Sequence, residues 1–315
     1  MIIKEYKTLT LNHRPYFLRS DGDEFMVSDK NGELTMFDGQ ANVLKRIDLQ
    51  KKMESLDFSS KYKIFFAANE ESISIVNYQN EIIKNIEGNY DAVFCYNEHL
   101  WAVKVLDDDT MNMEVYSLLN WILIDSIEIE DLFGSSSCLL FSGFNDHSII
   151  VWQGGGQDGQ CNFIVELRNN KLIIKQFVEY DTLPINPNPN KNRFVVGTDD
   201  YLSIYSYPEL KRVERYDYPE EFILLNNIFY LDNHRILISC ESKIKLYDTR
   251  YQTVENIIVK GHEFRETSFY YPTLTDDDCL TSDIDFIEKS GDYLLMACSN
   301  NKTDEKEYSI LIIDL

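Results

Sequence analysis

The chain has 315 residues, 44% of them hydrophobic and 13% aromatic, which excludes a disordered segment, and its thirteen Gly and seven Pro exclude a collagenous one. The formal net charge of −23 repels phosphate, which argues against binding along a nucleic-acid backbone or on an anionic membrane. A basic protein partner suits that charge, and so does simple solubility.

Residues Ile2 to Thr10 alternate as a strand, with Lys4, Glu5 and Lys7 interrupting the apolar stretch that a leader peptide needs. The first repeating unit then turns at Asp21-Gly22 and carries the alternating run Leu34-Thr35-Met36-Phe37. Val43, Leu44, Ile47, Leu49, Met53 and Leu56 have helical spacing. Asp57-Phe58-Ser59-Ser60 continues as strand and turn, so this segment is read as strand. Further strands follow at Ile73-Ser74-Ile75-Val76, Leu202-Ser203-Ile204-Tyr205 and Ile244-Lys245-Leu246-Tyr247. Tight polar turns recur at Asp21-Gly22, Ser60-Lys61, Asn97-Glu98, Asn145-Asp146, Lys191-Asn192, Asp232-Asn233 and Ser290-Gly291, marking seven similar units. Each unit reads as a first strand, a tight turn, an apolar second strand, an alternating third strand and a more polar fourth strand. No run reaches the roughly 18 apolar residues of a membrane span.

The third strands share an ending. Phe37-Asp38, Val76-Asn77, Tyr116-Ser117, Tyr205-Ser206, Tyr247-Asp248 and Ile313-Asp314 each place a large apolar residue before a small polar one. In this the chain resembles the WD-repeat family, whose third strand ends in Trp-Asp. Asn188 to Asp200 is similar to that family's first turn, second strand and following turn, and Gly261-His262 to its Gly-His dipeptide. No unit has Trp at the third-strand end, so the family's side-chain network is mostly missing. The expectation is an all-β, seven-bladed β-propeller of four-stranded antiparallel blades. It forms a single domain over 1–315, in which the N-terminal strand 1–10 closes the ring by completing the last blade, 279–315. Closure removes the exposed sheet edges that invite aggregation. An open solenoid or a stacked sandwich would show more uniform rungs.

The six cysteines, Cys95, Cys138, Cys161, Cys240, Cys279 and Cys298, are scattered without a C-x-x-C pair and predict a reduced, cytoplasmic chain. His99, His147 and His234 occupy the same turn of three units. They are expected to start second strands, bond locally and stay a blade apart, too far to share a metal. His13 sits in a polar turn. Gly154-Gly155-Gly156-Gln157-Asp158-Gly159 lies between strands, away from any helix N-terminus that would cradle phosphate, and reads as a loop. No nucleophile elbow, P-loop or dinucleotide fingerprint occurs, and neither a catalytic residue nor a cofactor is expected.

Loop length is the functional clue. First-to-second and third-to-fourth turns are short, whereas the other two classes lengthen at 107–110, 130–136, 153–160, 263–278 and 300–306. Functional loops on a rigid scaffold concentrate in this way. The candidate protein-binding residues lie there: Asp107, Asp108 and Asp109; Phe133; Phe264, Phe269, Tyr270 and Tyr271; and Asp276, Asp277 and Asp278. Aromatic side chains beside acids suit a protein interface. The expected partner is a protein, basic if charge steers the encounter, and the chain is expected to be a monomer when free. A narrower version is an immunity or inhibitor protein that neutralises a basic toxin or nuclease. The competing class is a metal-dependent propeller hydrolase or lactonase.

Overall fold

The computed structural model describes residues 2–314 except 30, 50–51, 108–109, 131–137, 155–159, 178–185, 199, 218–224, 241–242, 260–262, 265–280 and 301–306. Among the described residues every regular element is a strand, and no helix is long and apolar enough to cross a membrane.

Two short strands, β1 (Ile2–Ile3) and β2 (Lys7–Leu11), precede the first sheet, which holds β3 (Phe17–Asp21), β4 (Glu24–Ser28), β5 (Glu33–Asp38) and β6 (Val43–Asp48). The second sheet holds β7 (Ser55–Ser59), β8 (Ile64–Ala68), β9 (Ser72–Asn77) and β10 (Ile82–Glu87). The third holds β11 (Tyr90–Tyr96), β12 (His99–Asp107), β13 (Thr110–Ser117) and β14 (Leu123–Glu130). The fourth holds β15 (Cys138–Asn145), β16 (Ser148–Gly154), β17 (Gln160–Arg168) and β18 (Lys171–Phe177). The fifth holds β19 (Asn186–Pro187), β20 (Arg193–Gly197), β21 (Tyr201–Ser206) and β22 (Lys211–Asp217). The sixth holds β23 (Leu225–Tyr230), β24 (Arg235–Cys240), β25 (Lys243–Asp248) and β26 (Thr253–Val259), with β1 added in parallel beside β26. The seventh runs β2, β30 (Glu307–Asp314), β29 (Tyr293–Asn300), β28 (Thr281–Ser290) and β27 (Glu263–Phe264).

Within each sheet the consecutive strands form an antiparallel meander, to which β1 and β27 add in parallel, and all seven predicted tight turns fall between a first and a second strand. The six shared endings, Phe37-Asp38 to Ile313-Asp314, all close third strands. The segment with helical spacing is strand: Val43–Asp48 is β6, and Leu56 lies in β7.

The N-terminal strand pairs with the C-terminal one as expected, Lys7 opposite Ile312 through Leu11 opposite Tyr308. It therefore supplies the outer strand of the last sheet. Ile2 and Ile3 depart from that expectation. They leave the last sheet and run parallel to Ile258 and Val259 of the sixth.

Burial follows position in the sheet. All five residues of Ile64–Ala68, a second strand, are buried; strands flank it on both edges, and Ile64, Phe66 and Ala68 pack against the third sheet. Ile82–Glu87, an outer strand, is almost wholly exposed, and its polar and charged side chains blunt an unpaired edge.

The strands form two compact units, one of residues 1–50, 199–201 and 216–315, the other of 51–198 and 202–215. In the first unit, Leu18, Phe25, Val27 and Phe37 pack on Leu295, Ala297, Ile310 and Ile312, with Leu9 and Leu11 of β2 against them. Leu237, Ile244 and Leu246 pack there on Leu294, Met296 and Leu311. In the second unit, Phe66, Ile73 and Ile75 pack on Val93, Leu100 and Ala102, and Trp101, Val103 and Met113 on Ile149, Val151 and Val165. Phe144, Ile150 and Ile164 complete the series against Phe194 and Val196. Within each unit every such cluster lies between two sheets, so no sheet buries its own faces alone.

Candidate functional site

The residues singled out by loop length fall mostly outside the described residues: Asp108, Asp109, Phe133, Phe269, Tyr270, Tyr271, Asp276, Asp277 and Asp278. Gly155 to Gly159 and Gly261-His262 also lie outside them. Two candidates have a described backbone. Asp107 ends β12 opposite Thr110, and Phe264 lies in β27, parallel to β28 and opposite Ser282.

Strand register fixes where the long connections leave each sheet. Thr110 of β13 faces both Asp107 of β12 and Glu130 of β14, so the 107–110 turn and the exit toward 131–137 share one end of the third sheet. Ser148 opposite Glu166 and Arg168 opposite Lys171 place the two tight turns of the fourth sheet at its other end.

At that tight-turn end of the second unit lies a cavity of ≈ 450 Å³, lined by His99, Asn145, His147, Glu166, Arg168 and Tyr207 among others. Three sheets contribute to it. Glu166 is its buried carboxylate. It accepts hydrogen bonds from the Tyr207 hydroxyl, from Lys175 Nζ at 2.5 Å and from Arg168 Nη2 at 3.1 Å. Burial alone would raise this carboxyl. The Lys175 and Tyr207 hydrogen bonds, with the Lys175 and Arg168 charges, outweigh it and hold Glu166 below the usual glutamate range. Tyr207 moves the other way. Burial, then the hydrogen bond and charge of Glu166, push the phenol up to about 12, so it stays a neutral donor. Its ring stands edge-on to Phe144 at 4.2 Å, and Lys175 Nζ lies 5.7 Å from its centroid.

The third-strand ending explains why Glu166 reaches inward. Glu166 occupies the register position that Asp38, Asn77, Ser117 and Asp248 hold in other sheets, opposite the first residue of the second strand or its equivalent. Those four side chains accept backbone N–H groups two residues on, from Gln40, Gln79, Leu119 and Arg250. In the fourth sheet the strand runs two residues further, to Arg168, before turning at Asn169 and Asn170. Both asparagines have positive φ, 52° and 59°, as a two-residue hairpin turn requires. Glu166 is therefore released from turn-capping and faces Tyr207 instead. The signal was present in the sequence: Val165-Glu166 is the same apolar-polar pair, masked by the longer side chain and the extended strand.

The histidines correct an expectation. His99 and His147, read as separated by a blade, line one cavity. Their sheets are neighbours whose first strands, β11 and β15, touch, which draws the adjoining turns together. Burial, then the charge of His147, lowers the His99 pKa against the opposing pull of Glu98. His99 Nδ1 is buried without a hydrogen-bond partner. The local bonding expected of these turns does hold for two of the three. Asn145 Oδ1 accepts the His147 N–H at 3.0 Å, and Asp232 Oδ1 accepts that of His234 at 2.7 Å.

Among the described residues, one group gathers possible metal ligands, His13, Asp29 and Glu33, whose ligand atoms lie within 4.8 Å of one another. Asp29 is already committed to its own turn, accepting Asn31 N at 2.8 Å, Asn31 Nδ2 at 3.0 Å and Glu33 N at 2.9 Å. Turn chemistry accounts for this group. Cys161 and Cys298 are buried and Cys95 half-buried, all as free thiols.

No family model matches the sequence, and no curated protein matches it. Solved structures do. The β-propeller domain of Cps50 (Swd1) from Myceliophteria thermophila is 10% identical, with a TM-score of 0.63 over 98% of this chain and 100% of that one. The AfRom2 CNH domain is 12% identical, with a TM-score of 0.60 over 99% of this chain and 98% of that one. At such identities the likeness shows the fold, and the fold is that of a seven-bladed β-propeller whose blades are the seven sheets.

Proposed function

We propose that this chain is a protein-binding propeller that grips its partner through the loop-bearing ends of its sheets. The observation that carries the reading is the division of labour between the two ends of each sheet. At the tight-turn end, side chains such as Asp38, Asn77 and Asp248 are spent on bonds to their own turns. Every long connection leaves from the other end, and those connections hold the aromatic and acidic runs Phe269-Tyr270-Tyr271 and Asp276-Asp277-Asp278. Aromatic anchors ringed by charge are the composition of binding hot spots. The net charge of −23 favours a basic partner and a fast, salt-sensitive encounter. An immunity or inhibitor protein against a basic toxin is the narrower form of this reading. WD-repeat kinship rests on the third-strand endings, on Asn188 to Asp200 and on Gly261-His262.

Affinity capture from the native host, at low and raised salt, tests the reading. The expected result is a stoichiometric protein partner recovered by the full chain and lost when residues 263–278 are deleted. Recovery of monomer alone, or capture that survives the deletion, would overturn it.

A further inference from the structure

We propose that the cavity between the third, fourth and fifth sheets is a binding pocket for an anionic group, a carboxylate or a phosphate. It lies at the tight-turn end and is independent of the protein-binding reading.

The carboxylate lining the cavity is already occupied, since Glu166 accepts from Tyr207, Lys175 and Arg168. Asn145 Oδ1 is spent on the His147 N–H. What remains facing the cavity is the amides of Asn169 and Asn170, which can donate as well as accept, and the side chains of Arg168, His147 and His99. The Arg168 side chain is 63% exposed and uses one nitrogen on Glu166, leaving the rest of its guanidinium for a ligand. His147 is exposed. His99 lines the cavity with its Nδ1 buried and without a hydrogen-bond partner. A guanidinium presents parallel N–H groups that match the oxygens of a carboxylate or phosphate.

The surrounding charges set the pH dependence. Glu98 is paired with Lys61 at 3.0 Å, and Asp125 with Lys171 at 2.9 Å, so those two pairs cancel. Glu166 and the exposed Asp146 stand against Lys175 and Arg168. With neutral imidazoles the pocket is electrically balanced, in a chain whose formal net charge is −23. Protonation of His99 makes it cationic, and burial holds that step below the usual histidine range. Anion binding strengthens as pH falls.

The test is a titration of the full chain with benzoate, whose charge is constant across the range, and separately with inorganic phosphate. Histidine imidazole NMR resonances are followed at pH 6 and pH 8. The expected result is a saturable shift of His99 and His147 with at least one probe, about tenfold weaker at the higher pH. The probe that saturates identifies the carboxylate or the phosphate as the natural chemistry. Arg168→Gln and His147→Gln, both at exposed positions, should each weaken binding while leaving the thermal melt unchanged. If Arg168→Gln lowers the melt, His147→Gln alone decides. Absence of a saturable shift for both probes at pH 6 overturns the proposal, as does binding unaffected by His147→Gln.

Discussion

Glu166 shows how much one residue can change a repeat. In other sheets its position is taken by a short polar side chain that caps a turn, and here a glutamate one or two bonds longer joins three neighbours instead. Replacing it by glutamine leaves Lys175 and Arg168 without their counter-charge. The expected loss is about 1–3 kcal/mol near neutral pH, measured by denaturant titration. The sign of its pH dependence is set by its lowered pKa. A carboxyl held below its unfolded value stabilises the fold above that value, and the contribution disappears as pH falls through the folded value. The gap between wild type and Glu166→Gln should therefore close as pH falls below the usual glutamate range, and a gap that persists in acid contradicts the assignment. Gly143 supplies a second test at this scale. A Cβ added there would lie 2.0 Å from Cε2 of Tyr96. Tyr96 cannot yield freely, because it stacks on Phe94 at 5.8 Å and accepts a hydrogen bond from Lys191 Nζ at 3.1 Å. Gly143→Ala should cost about 1–3 kcal/mol in the same assay.

The strands were legible in the sequence because antiparallel meanders announce themselves twice, by alternation and by turn residues. Asn97 with φ of 54°, and Gly22 and Gly291 with φ of 64° and 56°, sit where the turn residues were read. The last blade was legible for a different reason. It stops after a third strand, and an unassigned strand stands at the other terminus. What was not legible are the pairings of two-residue strands. Ile2–Ile3 beside β26 and Glu263–Phe264 beside β28 are parallel additions too short to carry any periodicity. The cavity was hidden for a related reason. The turns of one sheet can be read from sequence, but their meeting with the turns of the next depends on packing between sheets. The closing strand is the element whose removal should matter most. Leu9 and Leu11 rest on the cluster built from the first and seventh sheets. Leu9→Ala should cost about 1–2 kcal/mol. Deletion of residues 1–11 should also expose the whole of β30 as an edge and cause concentration-dependent aggregation in light scattering. A truncated chain that melts and scatters like the full one would contradict closure by this strand.

At the scale of the whole molecule, repetition explains how 315 residues fold without one oversized core: within each unit, the apolar clusters lie between pairs of sheets. Repetition also leaves the connecting loops free to vary in length while the strands keep their register. The most direct test of the account is a hydrogen-exchange footprint of the chain bound to its captured partner. Protection confined to 107–110, 131–137, 260–280 and 301–306, with the tight turns at 97–98, 145–147 and 169–170 unchanged, is the predicted result. Protection at those tight turns, with the long connections exchanging as in the free chain, would contradict it.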